Sequence, residues 1–178
     1  MRLVYIILLF ISVLCLPALS LADGAMAGNP APYFKVLSGE KETLTLDNLK
    51  GKVAVLFYET KNTIERNRNL KVRLNIFYTA LSPSAKKDIV RAGIINCRDV
   101  LFRGFWEKEL RDNSLKERII IYGDWDGQMS VAYRAAENES NIIIIDRKGL
   151  IRYQACGPVK DEDIAEIEAL IRNLARGK

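Results

Sequence analysis

The chain has 178 residues, a formal charge of +5, 49% hydrophobic residues, three cysteines and no histidine. That length suits one domain with a single hydrophobic core, and so mild a charge excess is met by a solvated surface as readily as by an anionic partner. Lacking histidine, the chain has no imidazole general base, no cysteine-histidine nucleophile pair and none of the commonest zinc ligand.

Met1 and Arg2 precede the apolar run "LVYIILLFISVLCLPALSLA", which is closed by Pro17 and the small residues Ser20 and Ala22. One positive charge, an apolar stretch and a small-residue exit form the pattern of a secretory signal peptide, here 1–22 with cleavage after Ala22. A retained anchor is the competing reading, because about 20 apolar residues can span a bilayer; the crowding of Pro17 and small residues at the end favours cleavage. Residues 23–32, "DGAMAGNPAP", read as a flexible lead-in, and 33–178 as one domain.

"YFKVL" is a short strand candidate, and "SGEKETLTLDNLKGK" supplies a turn, a few extended residues and a second turn at Gly51. "VAVLFY" (53–58) is an unbroken apolar run of strand length, the signature of a strand buried on both faces. From Thr63 onward Leu70, Leu74, Phe77 and Leu81 recur at helical spacing, while Leu70, Val72, Leu74 and Ile76 also fit a period of two. The length of the segment, its Arg, Lys and Asn content and the stop at "SPS" (82–84) decide for helix. "DIVRAGIINC" gives a second strand and "RGFWEKELRD" a second helix. "RIIIYGDWDGQMSVAYRA" reads as strand, Asp126–Gly127 turn and short helix, and "NIIIIDRKGLIRYQACG" as a hairpin turning at Arg147–Gly149. The last helix carries one apolar stripe, Ile164, Ile167, Ile171 and Leu174. Asp161, Glu162 and Asp163 stand at its positive end, Arg172 and Arg176 at its negative end. The fold class is therefore α/β: a helix makes the first two main strands parallel, and the hairpin adds an antiparallel pair.

Three stretches carry a resemblance to a known family. "LTLDNLKGKVAVLFYET", "NIIIIDRKGLIRYQACG" and the final helix are similar to the thioredoxin-like fold in its redoxin variant, the alkyl hydroperoxide reductase/TSA-like group, over residues 33–175. The run from "GIINC" to the C-terminus most resembles the YtfJ-like periplasmic proteins, which also lack the cysteine pair. The resemblance implies a three-layer α/β/α sandwich around a central mixed sheet and a periplasmic or secreted location. Members with a redox thiol hold it where the helix after the central strand begins, because amide groups and the helix dipole favour a thiolate there. In this chain that region reads Thr60, Lys61, Asn62, Thr63, Ile64, Glu65, without sulfur. The family's cis-proline position falls near Ser140, and "ENESNI" contains no proline. The resemblance thus implies a scaffold without its CxxC chemistry: a non-catalytic binding or accessory protein of the bacterial envelope, with no cofactor and no metal.

Cys97 and Cys156 are left for the alternative, a thiol-disulfide oxidoreductase or peroxiredoxin-like enzyme using either thiol. On the expected fold three strand spacings separate them, roughly 14 Å at about 4.8 Å each. A disulfide needs Cα atoms within about 7 Å, so two separate thiols are expected, each a small apolar residue near a strand end. By their place in the fold, the binding candidates are Lys61, Asn62, Thr63, Arg66 and Ser140. Lys61, Arg66, Arg68, Lys71 and Arg73 face only Glu59 and Glu65 locally, an arrangement that works against the helix dipole. A solvated face explains it; so does another envelope protein or a small anionic ligand. Nucleic acid is not expected, since no aromatic residue interleaves this run before Phe77. Nor is stable membrane insertion expected after cleavage. "GDWDGQ" lacks the later ligands of a calcium loop and reads as a tight turn. Phe105 and Trp106, beside Gly104, are expected as core anchors, the alternative being an exposed apolar binding spot.

Overall fold

The computed structural model describes residues 27–177. The signal peptide assigned to 1–22 and the start of the lead-in lie outside the described residues. Seven strands form one mixed sheet in the order β2-β1-β5-β4-β3-β6-β7. They are β1 (Lys35–Ser38), β2 (Thr43–Thr45), β3 (Val53–Glu59), β4 (Ile89–Asn96), β5 (Ile120–Asp124), β6 (Asn141–Ile145) and β7 (Ile151–Cys156). The helices are α1 (Arg68–Thr79), α2 (Pro83–Lys87), α3 (Arg103–Glu117), α4 (Gln128–Ala132) and α5 (Asp161–Ala175), with a 3-10 turn at Leu46–Leu49. Among the described residues no helix is long and apolar enough to cross a membrane.

β3 is central because all seven of its residues are buried, as its unbroken apolar run requires. It pairs in parallel with β4, Phe57 opposite Gly93, and antiparallel with β6, Phe57 opposite Ile142. Alternate β3 residues feed two cores. Val53, Val55 and Phe57 meet Leu70, Leu74 and Phe77 of α1 and the Ile164, Ile167, Ile171, Leu174 stripe of α5. Ala54, Leu56 and Tyr58 meet Phe34, Val36, Met129 and Tyr133 on the other face. Each such side chain, when fully buried, contributes about 1.5–3 kcal/mol. α3 joins α1 and α5 on the first face, where Leu110 packs with Ile95 of β4. The hairpin turns where its sequence places it. Asp146 Oδ1 accepts from the backbone N–H of Lys148 at 2.8 Å and of Leu150 at 3.0 Å, and Gly149 takes φ +81°.

Several expectations change. The helix read from Thr63 begins only at Arg68, and Thr60–Asn67 form successive turns closed by Thr63 N–H to Thr60 C=O and Arg66 N–H to Thr63 C=O, both 3.0 Å. No acidic residue stands in the first turn of α1, and the Asn67 side chain makes no cap; it is committed to tertiary partners. "SPS" ends α1 and also starts α2, with Ser82 as its cap and Pro83 at the first helical position. β5 lies beside β4 and also pairs antiparallel with β1, so it links the N-terminal strands to the sheet. Residues 28–31 bond to the hairpin, with Gly28 N–H to Ile151 C=O at 2.7 Å and Ile151 N–H to Asn29 C=O at 2.9 Å.

Candidate functional site

β3 ends in two polar residues, and strand alternation sends their side chains to opposite layers. Glu59 points toward α1. Its carboxylate receives Lys71 Nζ at 2.7 Å on each oxygen and the Ser140 hydroxyl at 2.5 Å. Lys71 gives its remaining hydrogen to Ile64 C=O at 2.6 Å. Asn67 donates to Ser140 Oγ and to Gly157 C=O, both 3.0 Å, and accepts from Val159 N–H at 2.9 Å. Glu59, Asn67 and Ser140 are all buried. Burial raises Glu59 above the usual carboxylate range, opposed by the charge and hydrogen bonds of Lys71 and by the Ser140 hydroxyl.

This cluster sits where β3 ends and the turns before α1 begin, and it is saturated. The ammonium has three hydrogens and three acceptors; the Ser140 hydroxyl both donates and accepts. Its chemistry is that of a fastening between β3, α1, the segment before β6 and the chain after β7.

Tyr58 points into the other layer and donates to Asp124 Oδ2 at 2.8 Å; the same oxygen receives Met129 N–H at 3.1 Å and Ser130 N–H at 3.3 Å. Asp124 Oδ1 is buried without a protein partner. Burial raises the pKa of both Tyr58 and Asp124. Cys97, just after β4, is buried beside them, its N–H bonded to Asp124 C=O at 2.9 Å. Burial first and the Asp124 charge second push its thiol up to about 12, so at neutral pH it is a thiol and not a thiolate. Cys156 ends β7 exposed, and both cysteines are free.

Of the sequence candidates, Ser140 joins the Glu59 cluster. Thr63 is buried in the turns, its hydroxyl accepting from Thr60 N–H at 2.9 Å. Lys61, Asn62 and Arg66 stay at the surface. The unopposed basic run does not persist in three dimensions. Arg66 pairs with Glu139 at 2.6 Å, Arg68 with Glu117 at 3.5 Å and Arg73 with Glu168 at 3.4 Å. Lys61 makes no ion pair among the described residues and lies over the Trp106 ring, 5.8 Å from its centroid.

The expected core role of Phe105 is overturned: it is 58% exposed, next to Leu101 at 76% and Phe102 at 83%. Phe102, the residue just before α3, lies in the left-handed region, φ +59° and ψ +64°, a conformation that costs a non-glycine residue about 1–2 kcal/mol. Together with Lys61 over Trp106, these side chains form an apolar, cationic rim beside the Glu59 cluster. From the sequence, Lys71 and Glu59 read only as part of the basic run and its counter-charge and Asp124 as part of a tight turn, while Asn67 is not singled out; their pairing emerges only in three dimensions. A charged residue ending a fully apolar strand was the one available signal, at Glu59. Among the described residues no group of three or more His, Cys, Asp or Glu side chains is placed to hold a metal ion.

No family model matches the chain, and no curated protein does. Solved structures do. A Bacteroides vulgatus protein proposed to be a thiol-disulfide oxidoreductase shares 22% identity at TM-score 0.61, over 86% of this chain and 99% of that one. The thioredoxin domain of a thiol-disulfide oxidoreductase from Bacteroides vulgatus shares 17% at TM-score 0.59, over 82% and 97%. The exposed lipoprotein thioredoxin Etrx1 of Streptococcus pneumoniae shares 13% at TM-score 0.56, over 78% and 99%. Likeness at these identities establishes the fold, which is thioredoxin-like.

Proposed function

We propose that this chain is an exported, non-catalytic binding or accessory protein of the bacterial envelope, similar to the YtfJ-like periplasmic proteins. The observation that carries this reading is the Glu59–Lys71–Ser140–Asn67 cluster at the place expected of the redox centre, because a buried carboxylate with every hydrogen-bonding group satisfied offers no sulfur for thiol exchange. The interaction surface is the rim beside it: Lys61, Asn62 and Arg66 with the exposed Leu101, Phe102 and Phe105. Its partner is another envelope protein presenting an apolar patch with acidic neighbours. Large exposed apolar side chains and a cation on an aromatic face suit such a contact.

The test is alkylation of the native protein by iodoacetamide at pH 7, read residue by residue by mass spectrometry, together with a disulfide-reduction assay. Cys97 is expected to stay unmodified until urea unfolds the chain, with no turnover. Rapid native alkylation of Cys97 would overturn the reading. The second reading, a thiol enzyme working through Cys156, has one observation in its favour, since that thiol is exposed. It requires loss of measurable reductase or peroxidase turnover in Cys156→Ser.

A further inference from the structure

α1 leans toward α5, and a cavity of about 270 Å³ lies between α1 and the C-terminal end of α3. Its floor is Gly93, Ile95 and Ile121; Val72 and Ile119 flank its mouth. Gly93, at the middle of β4, leaves its part of the wall open: a Cβ there would meet nothing nearer than Ile121 at 3.6 Å. Val72 is 46% exposed, an apolar side chain left half in water at the opening.

The charges around this apolar floor do not balance. Arg68, Lys71 and Arg91 face Glu59 and Glu117 across the lining. Lys71 is paired with Glu59 and Arg68 with Glu117, which leaves Arg91. No carboxylate lies within ion-pair distance of Arg91 among the described residues. Its guanidinium stacks on Tyr78, 3.8 Å from the ring centroid, and Nη1 donates to Asn75 Oδ1 at 3.2 Å. It is half-buried, and its burial disfavours the charge it carries. A planar, bidentate donor set held in place by a ring and an amide is preorganised for a carboxylate.

From this geometry we infer that the α1–α3 cavity binds a small amphipathic carboxylate, its apolar body on Gly93, Ile95 and Ile121 and its acid group on Arg91. An apolar cavity of about 150 Å³ takes a benzene-sized guest, so 270 Å³ suits a ring or a medium-length chain with a short acidic arm. This cavity is separate from the docking rim, since no rim residue lines it.

The test titrates the purified protein with phenylpropionate, octanoate and the uncharged phenylpropanol, by calorimetry and by amide NMR shifts. At least one acid is expected to bind ten or more times more tightly than the alcohol, with shifts at Val72, Gly93 and Ile121. Arg91→Gln should bring that acid to the level of the alcohol, and Arg91→Lys should restore part of the difference. Val72→Trp, placed at the half-exposed mouth, should weaken acid and alcohol alike at least tenfold without disturbing the fold. Absence of saturable binding by either acid, an acid preference retained in Arg91→Gln, or shifts confined to other residues would overturn the inference.

Discussion

Tyr58 and Glu59 are neighbours at the end of one strand and meet opposite solutions to burial. Glu59 has a cation, a hydroxyl donor and two occupied oxygens. Asp124, the partner of Tyr58, has no cation among its hydrogen-bond partners and one oxygen without a protein partner. A charge removed from water is tolerated where an opposite charge and full hydrogen bonding replace the lost solvation, and otherwise it moves toward its neutral form. The two sites therefore differ in purpose as well as in geometry: the Glu59 side locks four segments together, while the Asp124 side holds a phenol and a thiol in a place hostile to ionisation.

Breaking the balanced side gives the largest effect. Lys71→Met leaves the Glu59 carboxylate buried without its cation and should cost about 3–5 kcal/mol in urea unfolding; a cost under 1 kcal/mol would mean that water reaches Glu59 freely. Asn67→Ala removes three hydrogen bonds among buried groups and should cost about 2–3 kcal/mol by the same measurement. It should also raise the exchange rate of the Val159 amide, which loses its acceptor.

The unbalanced side is read through pH. Asp124's folded pKa lies above its ordinary value of 3.8. Its favourable contribution is thus fully present below that value and lost as pH rises through the folded pKa. Asp124→Asn does not titrate, so its stability relative to the wild type should rise from about pH 4 upward, with a slope of at most about 1.4 kcal/mol per pH unit. Glu59 titrates in both proteins and cancels. A flat difference in denaturant midpoints between pH 3 and 7 would show that Asp124 keeps its charge and that some group satisfies Oδ1.

The smallest effect belongs to the rim. Phe102→Gly relieves the left-handed strain of about 1–2 kcal/mol and restores the entropy of a flexible residue, about 0.5–1 kcal/mol in the opposite sense. Thermal unfolding should show a change between zero and a gain of about 1.5 kcal/mol. A clear loss would mean that the exposed ring packs against the body of the protein.

Much of the architecture could be read directly. The β3 run, the hairpin around Asp146 and Gly149 and the α5 stripe each announced themselves, since a doubly buried strand, a turn and an amphipathic helix depend on patterns a few residues long. The start of α1 could not be placed that way. Asn67 has the chemistry of a helix cap, but its side chain finds better partners in Ser140, Gly157 and Val159, between 73 and 92 residues away. The basic run misled for a related reason: Glu139, Glu117 and Glu168, which neutralise it, arrive from three other elements.

Local sequence settled the α/β class, the parallel pair with its hairpin and closing helix, and a stretch from Thr60 to Glu65 without sulfur. Periodicity and composition are local, and they suffice for these. Tertiary structure decided what stands there instead. It placed Lys71 on Glu59, buried Cys97 against Asp124, exposed Phe105 and left Arg91 unpaired over an apolar floor. Each of these outcomes depends on which distant group replaces water around a charge, a thiol or a ring, and that is set by packing and not by neighbours in the chain.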